Sequence, residues 1–256
     1  MFRTIKNLYR LIGIMRTLAR YDAVFPLEKL DLPDWAVRGL SFLAGRASKK
    51  YADHRPGERL AMALQEQGPS FIKFGQSLST RSDLIGEEVA KDLAGLRDRL
   101  PPFSIEDARK TIESEFERPL EALYATFDTE PVAAASIAQV HFATTTTGEE
   151  VAVKILRPGI EEAFQRDLDL YYWVAEVIET LQPGFRRLRP VEVVRTFQES
   201  VDLEMDLRLE AAAASELSDG FEHDPDFGVP LIDWNLTQRR VMTIERIHGI
   251  SIADHE

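Results

Sequence analysis

The chain of 256 residues contains no cysteine, which excludes disulfides, thiolate metal sites and cysteine nucleophiles and suits a reducing compartment. It has no run of 18 apolar residues, so no transmembrane helix is predicted. Its five histidines show no metal-ligand spacing, and we expect no metal site built from them. A formal net charge of -12 argues against nucleic acid as the main partner.

Acidic residues are absent from the first 21 positions, although the whole chain is acidic. At about 100° per residue this segment forms a helix with an apolar side and a basic side. One interpretation is a helix packed on the rest of the fold. The other is attachment to an anionic membrane surface, where each nearby basic residue adds about 1 kcal/mol. The basic residues are Arg3, Lys6, Arg10, Arg16 and Arg20.

Helical spacing dominates the chain up to about residue 122. Helices are predicted at 33–47 and 56–66, and helical spacing then continues to a break at Gly86. A further helix is stopped by Pro101 and Pro102. Ser104 stands three residues before Asp107, as in a helix capping box with the shorter acid.

From Tyr124 the apolar period changes from that of a helix to that of a strand. Two β-prone runs surround "TTTTGEE", which predicts a hairpin with Gly148 in its turn. Helical spacing returns at 159–181, and one long helix is predicted from about Val191 to Ser218. The runs "VPLID" and "RVMTIE" are predicted as short strands.

Lys154, in "VAVKILRPG", ends a predicted strand that is followed by an acid-rich helix. A lysine in this position is commonly just a solvated strand residue. In protein kinases, however, a strand lysine binds the α- and β-phosphates of the nucleotide and is oriented by a glutamate of a following helix. The acids that the helix offers are Glu199, Asp202, Glu204, Asp206 and Glu210.

The segment "AAASIAQV" lies where a kinase has its glycine-rich phosphate loop, yet it contains no glycine. Alanine keeps the backbone N–H donors but restricts the positive-φ conformations that glycine allows. We therefore expect this segment to hold a nucleotide differently from a glycine-rich loop. The alternative is a small-residue crossing between packed elements.

In "KFGQ", Lys73 and Gln76 share one face of a helix because they are three residues apart. Gly75 costs about 1 kcal/mol of helix stability, which suggests that something packs closely against it. The alternative is a solvated lysine beside an incidental glycine.

Five motifs occur in the order that is typical of the UbiB-type atypical kinase family, over about residues 60–250. They are "KFGQ", "AAASIAQVH", "VAVKILRPG", "LEMDLRLEAA" and "VMTIERIHG". This resemblance implies an α+β fold: a protein-kinase-like N-lobe, with a small antiparallel sheet and an αC-like helix, after an all-helical N-terminal extension. The domains expected are a basic helix at 1–22, the extension at 23–122 and the lobe at 123–256.

The resemblance also implies roles for particular residues. Lys154 would bind nucleotide and pair with Glu210, and the backbone near Glu245 and Ile247 would contact adenine. A gating and selectivity group would pair Lys73 with Glu204 and include three further residues, Gly75, Gln76 and Asp206. The alanine-rich part of the nucleotide site would be Val132, Ala133, Ala134, Ala135, Ser136, Ile137, Ala138, Gln139 and Val140.

Two features of a complete kinase site are not found where they are required. The "DFG" at Asp226–Gly228 precedes the predicted hinge, so it is interpreted as a loop and not as a metal ligand. No His-x-Asp catalytic loop occurs. We therefore expect this chain to be the N-terminal portion of a longer protein, without the C-lobe or any catalytic residue, and inactive alone.

By resemblance, the full-length protein is an ATP- or ADP-binding atypical kinase or ATPase that supports ubiquinone biosynthesis and uses Mg²⁺ held by the missing lobe. Its expected location is the cytoplasmic face of a bacterial inner membrane, with the N-terminal helix as a peripheral attachment. Other ubiquinone-biosynthesis proteins are further expected partners. Two alternatives stay open: a non-catalytic nucleotide-binding regulator, and a membrane-surface scaffold without nucleotide.

Overall fold

A computed structural model of the protein describes residues 2–24, 48–96, 100–181 and 183–250. The helix expected at 33–47 lies outside these residues. The described α-helices are α1 (Phe2–Arg20), α2 (Pro56–Gln67), α3 (Pro69–Ser79), α4 (Ser82–Ile85), α5 (Glu87–Ala94), α6 (Ile105–Phe116), α7 (Ile160–Leu181), α8 (Pro190–Glu204) and α9 (Leu207–Gly220). The strands are β1 (Tyr124–Phe127), β2 (Ala133–Ala134), β3 (Ala138–Thr145), β4 (Glu150–Leu156) and β5 (Val241–Glu245).

The five described strands form one antiparallel sheet in the order β1-β3-β4-β5, with β2 paired to β3. The predicted hairpin is present as β3 and β4, and Gly148 takes a φ of 94° in its turn. Helix α6 covers one face of the sheet with Ala108 and Ile112, which pack in a core with Val153 and Ile155. Ser104 caps this helix as predicted, since its Oγ accepts a hydrogen bond from the Asp107 N–H at 3.1 Å.

The described structure divides into two compact units. The sheet unit comprises Arg99–Ile160 and Ser200–Glu256, and the helical unit comprises Met1–Asp98 and Glu161–Glu199. Helix α6 therefore belongs with the sheet, whereas α7 and most of α8 belong with the N-terminal helices. Buried leucines from α2, α5 and α7 form the core of the helical unit together with Ile14 of α1 and Phe71 of α3.

Helix α1 packs within the helical unit, and ion pairs occupy several of its basic side chains. Arg3 pairs with Asp169 at 2.7 Å, and Arg10 pairs with the buried Asp167. The two aspartates lie on α7. Arg20 pairs with Glu66 of α2. Within the described part of the chain, no helix is both long and apolar enough to cross a bilayer. Attachment of α1 to a membrane surface stays a prediction.

Four of the predicted elements differ from the structure. Helix α5 ends at Ala94, before the stop that was predicted at Pro101. The predicted long helix at 191–218 is wrong, because α8 ends at Glu204 and Asp206 caps the separate helix α9. The run "VPLID" is not a strand and contributes only one bridge, from Ile232 to Ile244. The helical spacing after Gly68 is interrupted before Gly86, since α3 ends at Ser79 and α4 begins at Ser82.

Candidate nucleotide site

Lys154 and Glu210 form a two-point ion pair at the centre of the sheet unit. Lys154 lies on β4 between Val140 of β3 and Met242 of β5. Its Nζ donates to Oε1 and Oε2 of Glu210 at 2.6 and 2.7 Å. The lysine side chain is 26% exposed and the glutamate side chain 48% exposed, so part of the charged pair is open to solvent. The sequence motifs implied this contact, and the structure contains it.

The start of α9 is fixed in a way that places Glu210 over the sheet. The Leu207 N–H donates to the carbonyl of Arg239, two residues before β5, at 2.9 Å, and the Leu207 side chain is buried. Asp206 caps the helix by accepting from the Arg208 N–H at 3.1 Å. A glutamate one turn into a helix that is tied at its first residue has little freedom to move away from Lys154.

Asp206 binds the side chain of Arg208 as well as its N–H. Its Oδ1 accepts from Nε at 2.9 Å and its Oδ2 from Nη2 at 2.6 Å. These hydrogen bonds lower the pKa of Asp206, so the carboxylate is held ionised. Arg208 is thus bonded to the same carboxylate that caps the helix.

The alanine-rich segment is a short hairpin made of β2, a turn and the start of β3. Ala133 lies opposite Val140 and Ala134 opposite Gln139. The turn is closed by the Ala135 N–H, which donates to the carbonyl of Ala138 at 2.7 Å. No residue from 132 to 140 has a positive φ. The segment therefore does not use the conformations for which glycine is needed, and an alanine Cβ is compatible with each position.

The side chain of Gln139 is turned into the protein. It is 1% exposed, its Oε1 accepts from the Phe103 N–H at 3.0 Å, and its Nε2 lies 2.8 Å from Nε2 of His141. His141 is fully buried, and its Nδ1 lies 2.8 Å from the carbonyl of Asp128. This arrangement requires neutral His141 with its proton on Nδ1, and burial lowers the pKa of the imidazole accordingly.

Arg157 contacts the alanine-rich turn, and the sequence reasoning missed it. Its Nη2 donates to the carbonyl of Ala135 at 3.2 Å and its Nη1 to that of Pro101 at 3.1 Å. Its guanidinium carbon lies 5.3 Å from the ring centroid of Phe103. The partners are 22 and 56 residues away along the chain, so no local pattern in "VAVKILRPG" could have shown them.

The segment after β5 contains the residues predicted to contact adenine. The Glu245 N–H donates to the carbonyl of Leu231 at 2.8 Å, and the Glu245 carboxylate accepts from the Leu231 N–H at 3.2 Å. The Arg246 N–H donates to the carbonyl of Glu150. The guanidinium carbon of Arg246 lies 3.9 Å from the ring centroid of Phe142. The Ile247 side chain is 59% exposed. Their role towards adenine stays a prediction.

The "KFGQ" motif lies on α3 in the helical unit. A Cβ built on Gly75 would lie 2.5 Å from Leu96 Cδ1 and 2.7 Å from Leu64 Cδ1, so neighbouring side chains do approach this glycine closely. Lys73 and Gln76 are partly buried. Glu204 ends α8 in the sheet unit. The pairing of Lys73 with Glu204 and the gating role of this group stay predictions.

The "DFG" at Asp226–Gly228 lies in the exposed connection between α9 and β5. The Asp226 N–H bonds to the carboxylate of Asp224 at 2.9 Å, and the Phe227 ring contacts that of Phe221. Within the described residues, no group of three or more carboxylate or histidine side chains is placed to hold a metal ion.

A small antiparallel sheet whose lysine pairs with a glutamate of a packed helix defines the N-terminal lobe of a kinase-like protein. The comparison with solved structures agrees. The structure of the Rv3197–erythromycin complex from Mycobacterium tuberculosis matches with a TM-score of 0.54 and 27% identity, over 86% of this chain and 52% of that one. The predicted α+β, kinase-like fold class is confirmed.

The family follows from the sequence comparisons. The model of the ABC1 atypical kinase-like domain matches residues 95–256, so the chain belongs to this family. It is 44% identical over 250 residues to the probable protein kinase UbiB of Marinobacter nauticus. It is 40% identical over 249 residues to the protein of the same name from Pseudomonas paraeruginosa. These alignments cover 97% and 96% of this chain but 45% and 47% of the relatives, so the chain spans about half their length.

Proposed function

We propose that the sheet unit binds ATP or ADP and that the full-length protein is an atypical kinase or ATPase that supports ubiquinone biosynthesis. The observation that carries the proposal is the two-point pair between Lys154 and Glu210. The names of the relatives, which are those of probable protein kinases, support the same class of activity.

The residues of the pair suit a nucleotide ligand. Lys154 is a point charge on a strand that is paired on both sides, and about a quarter of its side chain is exposed. A phosphate placed beside the exposed part would receive a charge-assisted hydrogen bond while Glu210 keeps the ammonium in position. Bound Mg²⁺ would neutralise phosphate charge, and the described residues offer no group of three or more carboxylate or histidine side chains to hold it. In this chain the alanine-rich turn and Lys154 would bind and orient the nucleotide.

A peripheral position at the cytoplasmic face of a bacterial inner membrane is part of the proposal. It is supported by α1, on which Ile5, Leu8 and Tyr9 are 49%, 46% and 75% exposed. These side chains recur at helical spacing along one stripe. Since Arg3, Arg10 and Arg20 are engaged with carboxylates, we assign the contact with lipid mainly to this apolar stripe.

The test is a calorimetric titration of the 256-residue protein with ADP and with ATP. Lys154→Ala should raise the dissociation constant at least about tenfold, or roughly 1.4 kcal/mol, because it removes the charge beside the phosphates. Lys110→Ala is the matched control, since this lysine of α6 is 76% exposed and 3.8 Å from Asp107. Equal affinities for folded Lys154→Ala and the unaltered protein would refute the proposed site.

A further inference from the structure

The turn between β2 and β3 closes without the backbone conformations that favour a tight hairpin. The Ala135 N–H bonds to the Ala138 carbonyl, which leaves Ser136 and Ile137 as its two central residues. Turns of types I′, II′ and II each require a positive φ, and none occurs here. A two-residue turn with negative φ values matches the twist of its strands poorly, so contacts from outside the hairpin have to hold it.

Arg157 supplies these contacts from the end of β4. Its backbone N–H donates to the Ile137 carbonyl at 2.8 Å, and its Nη2 donates to the Ala135 carbonyl at 3.2 Å. Both carbonyls of the turn that flank Ser136 are thus bound by one residue. The backbone contact keeps the turn near β4, and the side-chain contact fixes its orientation.

The same guanidinium reaches a second segment, Pro101–Phe103. Nη1 donates to the Pro101 carbonyl, and the Phe103 ring lies beneath the cation. Phe103 is itself fixed by the buried side chain of Gln139, which belongs to β3. A continuous chain of contacts therefore links the turn to Arg157, Arg157 to Phe103, and Phe103 to β3, the strand that follows the turn.

The chemistry of this contact favours a geometric role over a purely stabilising one. Burial lowers the pKa of Arg157, because the cation is partly removed from water. The acceptors found for its guanidinium among the described residues are neutral carbonyls. Since desolvation offsets part of the gain from such bonds, a partly buried arginine adds little net stability here. The planar fork, in contrast, presents its N–H donors in a rigid arrangement that can bind two carbonyls at a fixed separation.

We propose that Arg157 is a positioning residue for the alanine-rich turn, and that its fork joins Ala135 to the Pro101–Phe103 segment so that the turn meets the phosphates of a nucleotide in one fixed conformation. The part of this inference that concerns phosphates rests on the proposed nucleotide site. The part that concerns the turn does not.

The first experiment measures amide hydrogen exchange in the 256-residue protein and in Arg157→Ala, without nucleotide. We expect exchange at residues 133–138 to accelerate at least about tenfold, equivalent to roughly 1.4 kcal/mol of lost protection. The β3–β4 turn at 145–149 should be unchanged, and it serves as the internal control. Arg195→Ala is the matched variant, since this exposed arginine pairs with Glu192 on its own helix. Unchanged exchange at 133–138 overturns the proposal.

The second experiment compares ADP with adenosine, which has no phosphates. Arg157→Ala should raise the dissociation constant for ADP about tenfold and leave that for adenosine unchanged. An equal loss for both ligands would indicate a general defect and overturn the positioning role. If the unaltered protein binds neither ligand, the proposed nucleotide site is rejected, and hydrogen exchange alone decides whether Arg157 positions the turn.

Arg157→Lys separates the fork from its charge and also serves if Arg157→Ala does not fold. A lysine keeps the charge, but its donors radiate from one nitrogen and do not form the planar fork. We expect exchange and ADP affinity to lie between those of the unaltered protein and Arg157→Ala. Complete retention of both by the lysine variant would show that a point charge suffices, which overturns the proposed geometric role.

Discussion

The buried carboxylate of Asp167 connects three helices of the helical unit, and its removal should be costly. Asp167 lies on α7 and accepts from Ser70 of α3 and Arg10 of α1. Its side chain is 5% exposed, whereas that of Arg10 is 29% exposed. Burial raises the pKa of Asp167, and the hydrogen bond from Ser70 and the charge of Arg10 act against this shift. The carboxylate is thus buried at a cost that these two partners offset.

Asp167→Ala removes the partner of a buried hydroxyl and of a partly buried cation at once. Breaking such a pair from one side costs about 3 kcal/mol, because the remaining polar groups lose their acceptor without regaining water. For a protein of this size, that loss corresponds to a decrease in Tm of roughly 6 to 12 °C. Asp167→Asn retains an acceptor for Ser70, so we expect it to lose about half as much.

Glu176 provides the matched control on the same helix. It pairs with Arg3 at 3.3 Å, and the two side chains are 51% and 46% exposed. An exposed pair of this kind contributes about 0.5 kcal/mol or less. Thermal and urea unfolding of the three variants, followed by circular dichroism, measures the differences. Equal losses for Asp167→Ala and Glu176→Ala would refute the view that burial of the carboxylate decides the cost.

Two further predictions concern α1 and the sheet. Leu8→Ser and Tyr9→Ser should each reduce sedimentation with anionic vesicles by at least about half, because they remove apolar area from the exposed stripe; binding lost only at high salt, with both variants normal, would assign it to the basic residues instead. Because the pKa of His141 is lowered in the folded state, the unfolded state binds more protons than the folded state below about pH 6.5. The contribution of neutral His141 to the free energy of unfolding is therefore present above that pH and is lost as the pH falls. The urea midpoint should therefore fall more steeply from about pH 7 to about pH 5 in the unaltered protein than in His141→Gln, and parallel slopes would contradict this assignment.

Local sequence signals predicted the parts of the sheet unit whose residues interact with near neighbours along the chain. Alternating residues around "TTTTGEE" were sufficient for the β3–β4 hairpin, because a strand period and a turn glycine occur within a few residues of each other. The cap at Ser104 was equally local. The contact of Lys154 with Glu210, 56 residues apart, was implied by the order of motifs and not by any periodicity.

The errors arose where two local signals competed. Between Val191 and Ser218 the apolar period continues without a proline or glycine, and this hid the break at Asp206. The aspartate was itself a signal, since it is a preferred N-cap residue and Glu210 follows in the first turn of α9. In "VPLID" the proline has no N–H to donate to a strand ladder, and the run forms one bridge, at Ile232. Arg157 could not be found locally, because its acceptors are distant in sequence.

The chain leaves the sheet unit after Ile160 and returns to it at Ser200, so the helical unit is built from two separate stretches. The ion pair of Lys154 with Glu210 consequently closes a loop of 56 residues. For an unstructured loop of that length, closure costs about 3.5 kcal/mol in chain entropy. Helices α7 and α8 occupy most of the loop and remove much of this cost once they have formed. Folding of the helical unit should therefore accelerate docking of α9 on the sheet, and changes within that unit, such as those at Asp167, should alter the rate at which Lys154 acquires its partner.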